Sequence, residues 1–106
     1  MAKEFKTRCF YTEYVNHMIR FYLSCPDLLD VGGKKKADIV NWIAVQAVFH
    51  ALTDSERDLV TAVYRNNFHL PTAVQAIAEE KHIDPVGLWV ILTRTAAAIA
   101  RRRGLV

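Results

Sequence analysis

The sequence predicts an all-α domain of about five helices, and three observations carry that prediction. Apolar residues recur at spacings of three and four along most of the chain, which is the period of a helix face. Helix-start signals punctuate it: Thr53-Asp54-Ser55-Glu56 has the form of a capping box, and Asp84-Pro85 that of an N-cap followed by proline at the first helical position. Strand-like alternation, hairpin turns, internal repeats and low-complexity segments are all missing from the sequence. Residues 1–106 make a single domain, and a hydrophobic fraction of 52% is enough for a modest core. Within it, 1–52 reads as an N-terminal helical pair packed on a C-terminal unit, 53–106.

The first helix is expected over Phe5 to Cys25. It carries two apolar rows, Phe10-Tyr14-Met18-Phe21 and Tyr11-Val15-Ile19-Tyr22. Pro26 ends it, because the residue before proline disfavours helix. Aromatics this dense suit packing into a core or against a partner better than stacking on bases. Pro26 to Lys36 is a loop with Gly32-Gly33 as its hinge, and Lys34, Lys35 and Lys36 form either a solvated surface or a phosphate contact. The second helix, Ala37 to Leu52, has apolar residues on most sides and is expected near the centre of the fold. The third starts at the Thr53 capping box and runs to about Asn66, with Leu59, Val60, Val63 and Tyr64 inward. The fourth is expected over Thr72 to Lys81, with Pro71 before it, a second capping box from Thr72 and Gln75, and Val74, Ile77 and Ala78 buried. The fifth starts at Asp84-Pro85, buries a stripe of Leu88, Ile91, Leu92, Thr95 and Ile99, and stops at Gly104.

Ala76 to Gly104 organises the rest. It has the layout of the last two helices of a helix-turn-helix, where a small residue is needed at the steep crossing and Ala78 supplies it. Ile77, Ile83, Leu88 and Ile91 would form the small core between the helices. His82 stands where glycine is usual, because the turn takes positive φ there, and histidine adopts that conformation at some cost.

On these residues the chain resembles the C-terminal DNA-binding region of bacterial sigma factors and sigma-like phage and mobile-element regulators. Leu52-Thr53-Asp54-Ser55-Glu56-Arg57 resembles the opening of that module's first helix, AIAEEKHIDP its second helix and turn, and Leu92-Thr93-Arg94 part of its third. The likeness covers roughly the second half of the chain. As a whole the chain also resembles small proteins of Firmicute genomes with a YTEYVNHMIRFY-like start and an RRRGL-like end, which implies little about activity. The resemblance to sigma factors implies a transcriptional regulator whose partner is double-stranded DNA. It implies Arg94 as a phosphate contact and Thr93 as a groove contact.

Charge distribution is compatible with that partner. Residues 1–52 carry net +2 and 53–85 net −3, whereas 86–106 hold Arg94, Arg101, Arg102 and Arg103 with no acid. Arg101, Arg102 and Arg103 suit phosphates, and equally suit the negative end of their own helix dipole. One departure from the module's pattern matters. Base-reading side chains belong early in the last helix, where this sequence has Val86, Gly87, Trp89 and Val90. An apolar patch there favours the alternative function, a helical interaction or dimerisation module. A two-fold homodimer, seated on whichever apolar row of the first helix is left uncovered, is the expected form.

Other chemistry is not encoded. His17, His50, His69 and His82 have no metal-ligand spacing, Glu79 and Glu80 are adjacent and diverge on a helix, and catalytic motifs are missing. No enzymatic activity, cofactor or small-molecule substrate is expected. Cys9 and Cys25 form no CxxC, the N-terminus lacks a secretory signal, and no run is long and apolar enough for a membrane helix. These features read as buried or free thiols in a cytoplasmic protein.

Overall fold

A computed structural model describes residues 2–25, 27 and 35–106, with side chains from residue 11 onward. The described residues form five helices and no strand: α1 (Ala2–Ser24), α2 (Lys36–Ala51), α3 (Asp54–Asn66), α4 (Leu70–Lys81) and α5 (Pro85–Arg103). The all-α expectation holds. Pro26, the Gly32-Gly33 hinge and Lys34 lie outside the described residues, and the side chains of Cys9 and Phe10 do as well.

Local chemistry sets the boundaries. At Thr53 both halves of the capping box form: the Glu56 amide donates to Thr53 Oγ1 and the Thr53 amide to Glu56 Oε1, each at 3.1 Å. Arg57 then reaches back, donating to the Leu52 carbonyl (3.0 Å) and to the Phe49 carbonyl (2.9 Å), which also accepts the Leu52 amide, so one side chain ties α3 to the end of α2. Asp84 caps α5 by accepting from the Val86 amide at 2.9 Å. His82 takes φ 56° as the left-handed C-cap of α4, and the Ile83 amide closes the turn onto the Ala78 carbonyl at 3.0 Å. Gly104 does the same for α5 at φ 77°.

The start of α4 differs from the sequence expectation. Leu70 and Pro71 already lie inside the helix and His69 is its N-cap, so Thr72 and Gln75 form no capping box. Proline is tolerated in a first turn, where its missing N–H has no intrahelical partner. The Thr72 hydroxyl instead meets His69 Nδ1 at 2.8 Å, and Gln75 donates to Glu79.

The core takes residues from all five helices, among them Val15, Ile19, Val45, Val60, Val74 and Ile99. The helix at its centre is α5, not α2: α1, α2, α3 and α4 all pack on α5, whereas α2 packs mainly on α1 and α5. The expectation for α2 fails because apolar residues all round do not by themselves specify burial. Its buried side is Trp42, Ala44, Val45, Val48 and Phe49, and Val40 and Ile43 face solvent. The contribution of α5 is a buried face that mixes large residues, Leu88, Leu92 and Ile99, with small ones, Thr95, Ala96 and Ala100. Ala78, at 2% exposure, is buried as its proposed crossing role requires, but Ile83 is 36% exposed and adds little to the core.

Most described members of the two apolar rows of α1 turn inward. Val15, Met18 and Ile19 are buried, Tyr22 packs on Trp42 and Phe49, and of the described members only Tyr14 is exposed. The row from Tyr11 to Tyr22 therefore packs into the chain's own core, and among the described residues neither row is wholly uncovered. Among the described residues no helix is long and apolar enough to cross a membrane.

Candidate nucleic-acid interface

Four helices pack on α5, yet one stripe of it stays open along its length. Val86, Gly87, Val90, Thr93, Arg94 and Arg101 are exposed and fall within about one third of the helix circumference. Its N-terminal half is apolar: Val86 is 66% exposed and Val90 55%. Trp89 is 37% exposed, because it leans on α1 beside a small cavity of about 60 Å³ that Tyr11, Thr12 and Thr93 also line. The C-terminal half is polar and basic.

The predicted cations differ in their freedom. Arg94 forms an ion pair with Glu56, so its guanidinium bridges α5 to the start of α3. The carboxyl of Glu56 is held below the usual carboxylate range, first by the Thr53 amide and then by Arg94. Arg103 is also engaged. Its Nε donates to Asn41 Oδ1 at 2.5 Å, and Asn41 Nδ2 donates to the Tyr14 hydroxyl at 3.0 Å. Arg101 and Arg102 are exposed.

The Arg103–Asn41 bond has a wider consequence. It fixes the C-terminal end of α5 against the first half of α2, and Lys36 is about 7.5 Å along the helix axis from Asn41. Lys35 and Lys36, exposed at the start of α2, are thus brought to the same end of the molecule as Arg101 and Arg102. The opposite end of α5 is acidic, with exposed Glu79, Glu80 and Asp84 around the α4–α5 turn.

These two basic pairs are not equivalent. Arginines at a helix C-terminus complement the dipole and need no ligand to explain them. Lysines at a helix N-terminus oppose it. Lys35 is the N-cap of α2 and makes no side-chain cap hydrogen bond, so the first amides of α2 lack a side-chain acceptor from the cap. Asp38 is the acid of that first turn, and Lys35 and Lys36 stand as solvated cations beside it.

Sequence reasoning missed Asn41 and Arg20. The signal for Asn41 was one amide in an otherwise apolar stretch of α2. For Arg20 it was a cation inside the aromatic run of α1: the guanidinium lies 4.3 Å from the Phe68 ring centre and 5.4 Å from that of Tyr64. Among the described residues no three His, Cys, Asp or Glu side chains are grouped as a metal site would need. No family model matches this chain, and no curated protein or solved structure is significantly similar to it.

Proposed function

We propose that the protein is a DNA-binding transcriptional regulator of sigma-like helix-turn-helix type that engages double-stranded DNA mainly through phosphates. What supports this best is the Arg103–Asn41 bond, which sets the start of α2, with exposed Lys35 and Lys36, toward the same end of the fold as exposed Arg101 and Arg102, beside an open stripe of α5. Four solvated cations toward one end of the fold attract a polyanion, with Asp38 in the first turn of α2 the acid that offsets part of their charge. Thr93 lies on the open stripe as a groove contact, and Val86 and Val90 suit thymine methyl groups rather than polar base edges. Arg94 would have to leave Glu56 to reach a phosphate. Recognition of this kind carries little sequence discrimination.

The test is a mobility-shift series on a mixed-sequence duplex between about 50 and 200 mM salt. Replacing Lys35, Lys36, Arg101 and Arg102 with alanine should weaken binding and reduce the salt slope by about 0.9 per lost contact. Binding and slope that do not respond to these changes would overturn the reading.

A second reading, a helical interaction or dimerisation module, is favoured by one observation. Val40 and Ile43 are 39% and 51% exposed on the outer face of α2. If that face joins two copies, Ile43→Glu should convert dimer to monomer in sedimentation equilibrium. A wild-type chain that sediments as a monomer at high micromolar concentration would remove it.

A further inference from the structure

A cleft of about 520 Å³ opens between α1 and the segment joining α3 to α4, and none of the predicted DNA-contact residues lines it. Its lining is rich in N–H donors. Asn16 accepts the Tyr64 hydroxyl on Oδ1 at 2.5 Å, which leaves its amide nitrogen as the donor side. His69 engages Thr72 through Nδ1, leaving Nε2, and His17 lines the same cleft. Arg20 donates from Nη2 to the Phe68 carbonyl at 2.7 Å, while its Nε is buried without a partner. Glu13 is the one carboxylate in the lining.

Phe68 is the anomaly that gives the cleft a purpose. It is 81% exposed, yet it is not loose: the Arg20 guanidinium stacks over its ring and bonds its carbonyl. An aromatic held in water beside a donor-rich cleft is a ready stacking surface. We propose that this cleft binds a small aromatic anion, a carboxylate or phosphate ester. Its ring lies against Phe68 and its anionic group meets Arg20, Asn16 and the histidines. The site is independent of nucleic acid.

The full-length chain, labelled for heteronuclear NMR, is titrated with benzoate, phenyl phosphate, inorganic phosphate and neutral benzyl alcohol. Benzoate or phenyl phosphate should shift the amides of 13–20 and 67–72 saturably below about 10 mM. Saturation by either supports the site, and the tighter of the two identifies the anionic group. Phe68→Ala, at an exposed position that the fold does not need, should weaken the aromatic anions about fivefold and leave inorganic phosphate unchanged. Arg20→Gln should erase the preference for benzoate over benzyl alcohol, with circular dichroism checking that it folds. The proposal is overturned if neither anion saturates those amides, if Phe68→Ala binds as the wild type does, or if benzyl alcohol matches benzoate in the wild type.

Discussion

At the scale of single residues, Tyr64 turns burial into a pH dependence. Its hydroxyl is enclosed and donates to Asn16, and burial pushes its pKa up to about 12 against the opposing pull of Arg20. The fold therefore favours the protonated form. That contribution is complete below the ordinary tyrosine value near 10, and it is lost as pH rises from about 10 to 12, with an upper size of about 2–3 kcal/mol. Urea unfolding between those pH values should show a steeper loss of stability for the wild type than for Tyr64→Phe. Parallel curves for the two proteins would contradict it. Tyr22 is raised in the same direction by burial and leaves a residual slope in both.

At the scale of elements, the α4–α5 turn shows how far local rules reach. A left-handed residue at position 82 was legible because the turn demands positive φ, and His82 adopts it at φ 56°. A side chain in that region costs about 1 kcal/mol relative to glycine. His82→Gly should therefore stabilise the protein by about that amount in thermal or denaturant unfolding, since the exposed imidazole gives up no buried contact. A destabilised variant would mean that His82 makes an interaction worth more than the strain. The capping boxes make the complementary point. Thr53 and Thr72 head similar four-residue patterns, but only Thr53 lies at a helix start, because α4 begins two residues before Thr72.

At the scale of the whole molecule, the chain Arg103–Asn41–Tyr14 ties the end of α5 to α2 and α1. Asn41 is buried at 6% exposure, so removing its donor leaves an acceptor without water. Arg103→Ala should cost about 1–3 kcal/mol of stability. Arg101→Ala and Arg102→Ala, at solvated positions, should each stay within about 0.5 kcal/mol. Denaturant melts of the three variants separate these outcomes, and equal effects would refute a special structural role for Arg103. The arginine triplet thus divides in structure: Arg103 is bonded within the fold, and Arg101 and Arg102 are solvated.

What the sequence determined by itself was most of what depends on neighbours a few residues apart, the start of α4 excepted. The apolar period of each helix, the Thr53 and Asp84 caps, the His82 turn and the Gly104 stop follow from hydrogen bonds and dihedral preferences within a turn or two. The tertiary structure decided which apolar face meets which. It placed α5 rather than α2 at the centre, with α1, α2, α3 and α4 all packed on its mixed large and small buried face, and it buried Val15, Met18 and Ile19 of α1. It also drew Arg94 to Glu56, Arg103 to Asn41 and Arg20 to Phe68, pairs separated by 38, 62 and 48 residues. Long-range partners of this kind leave no periodic trace in a sequence, since only the packing of one helix against another fixes which side chains meet.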